Sequence, residues 1–323
     1  MVKAIRIHET GGPEVFKLED VEVAAPGAGE IQIRQRAIGV NYLDVYYRTG
    51  LYPAALPFIP GNEGAGDVIA IGKGVKEFKV GDRVGYAGPL GGYAEVRNLP
   101  AAIAVKLTKD VSYEQAAGLM LKGLTAQYLL RQVYKVKKGD TILVHAAAGG
   151  VGSILCQWGK ALGATVIGTV GSEEKAKLAK KFGAKHTILY RSEDWVARVK
   201  EITKGKLCDV VYDGVGKDTF PGSLDCIRPL GMFASFGSAS GPIEAFNIGV
   251  LGQKGSLFAT RPTLFTYLAD PARKTKMARD LMKVVADGVV KIPITGRLKL
   301  AEAQKAHQLL QGRDTTGMLV LVP

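Results

Sequence analysis

The sequence of 323 residues lacks the patterns that mark several protein classes. Its three cysteines, Cys156, Cys208 and Cys226, have no CxxC spacing, which argues against a disulfide framework or a thiolate zinc site. The four histidines form no HxxxH or HxH pair, and no serine lies in a GxSxG turn, so hydrolase chemistry has no support. No apolar stretch approaches the roughly 18 residues of a membrane-spanning helix, and the N-terminus has no apolar signal region. A soluble cytoplasmic protein is predicted.

Acidic residues are scarce relative to basic ones. The 43 Lys and Arg residues exceed the 30 Asp and Glu residues, which gives a net charge of +13. Such an excess suits a nucleic acid, an anionic membrane or a phosphorylated small molecule. The net charge is −1 for residues 1–120, +8 for residues 121–260 and +6 for residues 261–323. No run of five consecutive basic residues occurs, which argues against a disordered nucleic-acid-binding tail.

The chain changes character after its first third. The first hundred residues contain short alternating segments such as IQIRQRAIGV between glycine and proline turns, which predict a β-barrel-like unit. From about residue 123, buried strands such as Thr141–His145 and Ala164–Val170 alternate with helical segments. This alternation predicts a parallel, doubly wound sheet, so the fold class is α/β with two domains. Two helices and a terminal strand, Met318–Val322, complete the chain.

A glycine-rich segment, HAAAGGVG, follows the strand that begins at Thr141. In a GxGxxG alignment its special positions are Ala147, Gly149 and Gly152, with alanine in the first place. A tight strand-to-helix turn lets the backbone approach a pyrophosphate at a helix N-terminus. Because a strand precedes the segment and a helix and a second strand follow it, we predict a dinucleotide site over a purely structural turn.

The end of the second strand indicates which dinucleotide binds. Sites for NAD normally place an acidic residue there, which binds the ribose hydroxyl groups. Here the strand ends at Gly171 and Ser172, which leave room for a 2′-phosphate, and Lys175 offers a counter-charge. Glu173 and Glu174 oppose this interpretation, although acidic residues are also favoured in the first turn of a helix. NADPH is the predicted cofactor.

Six segments together resemble the zeta-crystallin-like quinone oxidoreductases of the medium-chain dehydrogenase/reductase superfamily. They are GVNYLDVYYRTGLYP (39–53), PGNEGAG (60–66), AAAGGVG (146–152), VVYDGVG (210–216), FGSASG (236–241) and TRPTL (260–264). The resemblance implies a GroES-like β-barrel catalytic domain (1–122 and 262–323) around an NADPH-binding Rossmann domain (123–261). It also implies a homodimer formed through the Rossmann domains.

The sequence departs from the zinc alcohol dehydrogenases of that superfamily. They carry a Cys where this chain has Asn41 and a His where it has Asn62. Asp44 and Glu63 remain, but two carboxylates without Cys or His do not make a catalytic zinc site, so no metal is predicted. Without a Lewis acid, alcohol–ketone chemistry is disfavoured relative to hydride delivery to a conjugated acceptor.

The resemblance also implies the site residues. Asn41, Tyr46 and Tyr52 are expected to line the nicotinamide and quinone pocket, and Arg261 lies near it. Tyrosines in this segment also suit a role in covering the barrel, and Arg261 also suits an interface ion pair. The expected cofactor-binding residues are Asn41, Thr125, Ala148, Gly149, Gly150, Val151, Gly171, Ser172, Lys175, Tyr190, Gly214, Val215, Phe236, Gly237, Ser238 and Arg313.

The predicted function is hydride transfer from NADPH to a quinone without zinc. Reduction of activated carbon–carbon double bonds, in enones or enals, is the alternative within enzymes, because the same pocket chemistry serves both. A different class, an RNA-binding or structural protein of the same fold, fits the positive charge. It has no support from an aromatic–basic RNP pattern or an arginine-rich stretch.

Overall fold

The computed structural model describes residues 1–312 and 315–323. The chain divides into two compact units. The first consists of Met1–Lys122 and Ile292–Pro323, and the second is Gly123–Lys291. Residues 262–291, predicted from the sequence to belong to the catalytic domain, lie within the second unit. There Tyr267 stacks on Tyr128 with ring centroids 4.6 Å apart, and Gln127 donates a 3.0 Å hydrogen bond to Asp280. None of the helices in the described residues is both long and apolar enough to cross a membrane.

The strands are numbered in chain order. In the described residues they are β1 (Val2–Ile7), β2 (Phe16–Val21), β3 (Glu30–Gly39), β4 (Glu63–Ile71), β5 (Arg83–Ala87), β6 (Val96–Pro100), β7 (Ala104–Lys106), β8 (Thr141–Val144), β9 (Thr165–Val170), β10 (His186–Leu189), β11 (Cys208–Asp213), β12 (Ile227–Ser235), β13 (Phe258–Thr260), β14 (Ile294–Lys299) and β15 (Met318–Val322). The terminal strand has the predicted bounds.

The α-helices are numbered in the same way. They are α1 (Tyr42–Arg48), α2 (Tyr113–Tyr128), α3 (Gly150–Ala161), α4 (Glu173–Lys181), α5 (Trp195–Ile202), α6 (Gly249–Gln253), α7 (Leu264–Leu268), α8 (Pro271–Ala286) and α9 (Ala303–Gly312). A π-helical turn, Leu129–Val133, directly follows α2.

The first unit contains the predicted GroES-like β structure. Its larger sheet has the strand order β14-β15-β3-β4-β5-β7, with β6 also paired to β3, and β1 and β2 form a separate antiparallel pair. Alternating apolar and polar residues explain why β3 is a strand with one buried face, since Ile31 and Ile33 are fully buried while Arg34 faces solvent. Two apolar clusters lie on this unit's sheets, one around Ile5 and Leu321 and one around Ile33.

The second unit contains the predicted Rossmann sheet. Its six strands are parallel, in the order β10-β9-β8-β11-β12-β13, which is the 3-2-1-4-5-6 arrangement of dinucleotide-binding sheets. The near-continuous apolar runs of its strands fit a sheet covered on both faces, and Ile142, Leu143 and Val144 of β8 are fully buried. The strand order reverses between β8 and β11, so ligands are expected at the carboxyl ends of these strands.

Candidate active site

The glycine-rich segment after β8 forms a tight turn into α3. Gly149 is the N-cap residue of this helix, and Ala146 has a positive φ of 51°. A Cβ atom at Gly152 would overlap the carbonyl oxygen of Ala146, so only glycine lets the chain turn this closely. The first backbone N–H groups of α3 have no partner within the helix, and the helix dipole favours negative charge there. The turn can therefore bind a phosphate group.

The structure explains the alanine that replaces the first glycine of the motif. Ala147 is buried, and a Cβ atom at Gly168 of β9 would lie 2.6 Å from the methyl carbon of Ala147. The glycine that the motif lacks after β8 is thus compensated by a glycine in the neighbouring strand. The turn keeps its close packing against the sheet.

The end of β9 carries small residues in place of an acidic side chain. Gly171 follows the strand, and Ser172 caps α4 by accepting a 3.3 Å hydrogen bond from the Lys175 backbone N–H. Glu173 and Glu174 lie in the first turn of α4, and both are exposed. The helix dipole favours negative charge at these positions, which explains both residues without a contact to ribose.

Two further side chains approach the same place from the end of β10. A Cβ atom at Gly171 would lie 2.8 Å from the hydroxyl oxygen of Tyr190 and 3.4 Å from Nε of Arg191. Both residues are exposed, and Lys175 lies one helical turn into α4. A lysine, an arginine and a phenol therefore belong to the polar surface around Gly171. Such a set of donors suits a phosphate monoester.

The loops that follow β11 and β12 pack against each other, backbone to backbone. A Cβ atom at Gly237 would lie 2.5 Å from the carbonyl oxygen of Gly214, and the N–H of Phe236 donates to the carbonyl oxygen of Asp213 at 2.8 Å. Arg261 joins this pair of loops: its guanidinium donates to the Ser235 carbonyl oxygen at 3.0 Å and to the Ser238 hydroxyl at 3.3 Å. The predicted residues Gly214, Val215, Phe236, Gly237, Ser238 and Arg261 are thus neighbours.

A buried polar network fixes these strand ends. The carboxylate of Asp213 accepts hydrogen bonds from the Val215 N–H at 2.8 Å and from the Ser223 hydroxyl at 2.9 Å. His145 bridges from Ser223, at 3.1 Å, to the Thr169 hydroxyl, at 2.9 Å. Burial lowers the pKa of His145, so its imidazole is neutral and acts as a structural connection between β8, β9 and β11.

Asn41 lies in a cluster of buried polar groups in the first unit. As the N-cap residue of α1, its N–H donates to Oδ2 of Asp44 at 2.8 Å, and its side-chain Nδ2 donates to Oε1 of Glu63 at 2.8 Å. Lys122 of α2 donates to the same Oε1 atom at 2.6 Å. Burial raises the pKa of Asp44 to about 7, and hydrogen bonds from the Asn41 N–H and the Tyr93 hydroxyl oppose that rise.

The predicted tyrosines form an aromatic cluster on α1 and the turn after it. The Tyr46 and Tyr52 rings are 5.3 Å apart, and Tyr47 meets Tyr52 edge-on at 5.8 Å. Tyr47 also packs against the apolar cluster of the barrel, which is the covering role considered for tyrosines here. Tyr46, buried, and Tyr52, half-buried, combine flat faces with hydroxyl groups, as a planar oxygen-bearing ligand requires.

Comparisons with known proteins give the family. The model for the alcohol dehydrogenase GroES-like domain matches residues 27–109, and the model for zinc-binding dehydrogenases matches residues 150–264. A quinone oxidoreductase from Pseudomonas aeruginosa is 54% identical, with all of both chains covered. The chain belongs to the quinone oxidoreductases of the medium-chain dehydrogenase/reductase superfamily. The resemblance seen in the sequence is confirmed.

Two further relatives of this chain have names that state a ligand or a substrate. The crystal structure of Escherichia coli quinone oxidoreductase complexed with NADPH has a TM-score of 0.98 and 48% identity, covering 99% of this chain and 100% of that one. A 2-haloacrylate reductase from Burkholderia is 47% identical, covering 100% of this chain and 99% of its own.

The family includes zinc enzymes, but the residues here do not fit a catalytic zinc ion. Asn41 and Asn62 stand at the Cys and His positions of the zinc alcohol dehydrogenases, and their amide nitrogens donate to Glu63 and to the Gly88 carbonyl oxygen. Of the two carboxylates, Glu63 is paired with the Lys122 ammonium, which would repel a metal ion, and Asp44 accepts hydrogen bonds from the Asn41 N–H and the Tyr93 hydroxyl. In the part of the chain that the structure describes, no three His, Cys, Asp or Glu side chains are grouped to hold a metal.

The predicted site residues of this oxidoreductase fall into separate groups. The turn residues Ala148, Gly149, Gly150 and Val151 begin α3, and the phosphate-side residues Gly171, Ser172, Lys175 and Tyr190 lie around the end of β9. Thr125 is buried in α2. Arg313 lies outside the described residues.

Three residues near these groups were missed in the sequence. Arg191 follows Tyr190 directly, so a basic residue at the end of the third parallel strand was the available signal. Asp213, at the end of β11, lies in the VVYDGVG segment, but only the structure shows the four hydrogen bonds that its carboxylate accepts. Lys122 gave no signal, because its partner Glu63 is 59 residues away.

Proposed function

We propose that this chain is an NADPH-dependent quinone reductase that works without zinc. The observation that carries the proposal is the end of β9, where Gly171 and Ser172 stand in place of an acidic residue and Lys175, Tyr190 and Arg191 are close by. A ribose 2′-phosphate would meet cations and a phenol there, whereas NAD-specific sites offer a carboxylate to the ribose. The E. coli relative, solved as a complex with NADPH, supports the same cofactor.

The residues that would hold the cofactor are those of the second unit and Asn41. The turn into α3 would bind the pyrophosphate through backbone N–H groups. The loops after β11 and β12, held together by Asp213 and Arg261, would contribute Gly214, Val215, Phe236, Gly237 and Ser238. Thr125 and Arg313 complete the proposed set. We assign NADPH binding mainly to residues 123–261, and catalysis mainly to residues 1–122 and 262–323.

We assign contact with the substrate to Asn41, Tyr46 and Tyr52 of the first unit and to Arg261 of the second. When bound, NADPH supplies the hydride. The two phenols and the amide orient a planar acceptor and hydrogen-bond its ring oxygens, and a guanidinium stabilises the negative charge that develops on them. A quinone needs this positioning more than it needs a Lewis acid, because its conjugated carbonyl groups already accept a hydride.

Reduction of activated carbon–carbon double bonds is the second candidate. The relative named 2-haloacrylate reductase, at 47% identity, is the observation that favours it. An electron-poor alkene and a quinone are both planar conjugated acceptors, so the same side chains suit both.

Steady-state turnover tests these two functions directly. NADPH oxidation is followed with 1,4-benzoquinone, with 2-alkenals and with 2-chloroacrylate, and NADH is run in parallel. Rapid turnover of the quinone with NADPH, and little with NADH, is the expected result. Rapid turnover of the alkenals or the haloacrylate with inert quinones would replace the first function by the second. Failure of every acceptor would overturn both.

We also propose a homodimer formed through the second unit. Strand β13 ends the six-stranded sheet, and its Phe258 side chain is 58% exposed. Ile248 before α6 and Leu230 in β12 are 76% and 63% exposed. An edge strand with exposed apolar side chains is a template for pairing with another strand, so a second copy of this chain suits it.

The three free cysteines support a reducing, cytoplasmic location.

A further inference from the structure

A buried ion pair joins Lys122, near the middle of α2, to Glu63, the first residue of β4. The Lys122 ammonium lies 2.6 Å from Oε1 of Glu63, and the two side chains are 9% and 0% exposed. Removing two charges from water costs several kcal/mol per ion, and their attraction repays this only with further hydrogen bonds. Such a pair is weak support for stability, so a role in the site is the better explanation.

The Glu63 carboxylate is fixed from three directions. Its Oε2 atom accepts a 2.7 Å hydrogen bond from the Leu121 N–H, in the turn of helix that also carries Lys122. A Cβ atom at Gly39 would overlap Oε1 of Glu63, so the space for the carboxylate exists only because that position is glycine. The Oε1 atom accepts from Lys122 and also from Nδ2 of Asn41, at 2.8 Å. Glu63 Oε1 therefore holds the nitrogen of the Asn41 amide, while the Asn41 side chain also takes part in the capping box of α1.

We propose that Lys122 is a positioning residue for the reductase: its ammonium holds Glu63 so that the carboxylate fixes the amide of Asn41. The inference rests on the proposed function, which places Asn41 against substrate and nicotinamide. Without the ammonium, the buried carboxylate has no compensating cation and loses one of the contacts that fix its Oε1 atom. The hydrogen bond from Asn41 then meets a carboxylate that is itself held less firmly, so the amide is positioned less precisely.

A double-mutant cycle tests this chain of contacts. Lys122→Met is made alone and together with Asn41→Ala, and kcat and KM for a quinone are measured with NADPH. We expect Lys122→Met to lower kcat/KM about tenfold in the native background and less than twofold beside Asn41→Ala, because residues in one hydrogen-bond network are non-additive and both donate to Oε1 of Glu63. Equal losses in both backgrounds, or no loss in the native one, would overturn the proposal, since a merely structural lysine acts independently of Asn41.

Two additions keep the result interpretable. If Lys122→Met does not fold, the cycle is repeated with the double variant Glu63→Gln/Lys122→Met, which leaves no uncompensated charge buried. Equal losses of kcat/KM with and without Asn41→Ala, or no loss in the native background, would again overturn the proposal. Lys106→Met is the matched control: Lys106 forms an ion pair of 2.8 Å with Asp82, but its side chain is exposed. We expect that substitution to change kcat/KM less than twofold, because exposed pairs contribute little.

The affinity for NADPH separates this inference from the proposed function. The dissociation constant is measured by fluorescence for the same four proteins of the cycle, without any acceptor. A wild type that binds NADPH but reduces no acceptor would refute the proposed function. The effect of Lys122→Met with and without Asn41→Ala would then be compared through the dissociation constants of NADPH. Additive effects on both NADPH affinity and kcat/KM would refute the role of Lys122 while leaving the proposed function intact.

Discussion

The Tyr93 hydroxyl donates a 3.0 Å hydrogen bond to Oδ2 of Asp44, and both side chains are fully buried. His307 Nε2 lies 3.0 Å from the same hydroxyl, and Arg48 Nη1 lies 3.1 Å from His307 Nδ1. Since Arg48 can only donate, Nδ1 of His307 accepts and its Nε2 carries the proton. A directed hydrogen-bond chain thus runs from Arg48 to the carboxyl group beside Asn41.

Replacement of Asp44 by Asn is expected to change how stability depends on pH. Burial raises the pKa of Asp44 from 3.8 to about 7. Between these values the folded protein holds a proton that the unfolded chain releases, so this group's contribution to stability is lost as pH rises through that window. The slope approaches about 1.4 kcal/mol per pH unit. Urea unfolding of wild type and Asp44→Asn from pH 4.5 to 7 measures it, and parallel profiles would contradict the shift.

Replacement of His307 by Gln is expected to change the pH dependence of stability in the opposite direction to Asp44→Asn. Burial, with a smaller effect of Arg48, lowers the pKa of His307 from 6.5 to about 3. Between these values only the unfolded chain binds the proton, so the contribution of His307 is lost as pH falls from 6.5 towards 3. In wild type the two groups oppose each other between about pH 4 and 6.5. We therefore expect His307→Gln to lose stability, relative to wild type, as pH rises in that window; unchanged slopes in the urea series would refute this.

Lys175→Ala is expected to reduce the preference for NADPH over NADH. Loss of a charge-assisted hydrogen bond to the 2′-phosphate should raise the dissociation constant of NADPH about tenfold or more. The constant for NADH should stay within about twofold, because NADH lacks the phosphate. Lys177→Ala is the matched control, since Lys177 is exposed on the same helix. An equal loss of NADPH affinity in both variants would show non-specific attraction only.

Gly152→Ala is expected to disrupt the turn into α3. The added methyl group would overlap the Ala146 carbonyl oxygen, and overpacking of this kind costs about 1–3 kcal/mol. Gly252→Ala is the control, because nothing lies within 4 Å of a Cβ atom at Gly252 in α6, and alanine favours helices. Thermal unfolding and NADPH titration should separate the two variants. A Gly152→Ala protein with native stability and affinity would refute the steric argument.

Phe258→Lys is expected to convert the proposed dimer into a monomer. A charge on strand β13 would be desolvated by a second copy paired at that edge. Light scattering after size-exclusion chromatography measures the mass. Leu18→Lys is the control, because Leu18 is an exposed apolar residue of β2 in the other unit. A wild type that is monomeric at all concentrations would remove the basis for the dimer.

The sequence determined the local and periodic features of this protein. The apolar runs of β8 and β9 and the AAAGGVG turn between β8 and α3 predicted a Rossmann sheet, because strand period and turn chemistry are properties of neighbouring residues. The NADPH preference followed from Gly171 and Ser172, since the ribose site lies directly after a strand. Motifs along the whole chain identified the family.

Tertiary structure alone decided the contacts between distant residues. Lys122 meets Glu63, Tyr93 meets Asp44 and Arg48 meets His307 across separations of 59, 49 and 259 residues. Pairing of this kind arises from strand order and helix packing, which a single sequence does not encode in any local pattern. The positive charge shows the same division: the composition gave +13, but only the fold placed Arg191 beside Gly171 and enclosed Lys122 next to Glu63. Burial decides what such a charge does. At the surface, water screens the charge, whereas in the interior there is no water to do so and the charged group pairs with one partner.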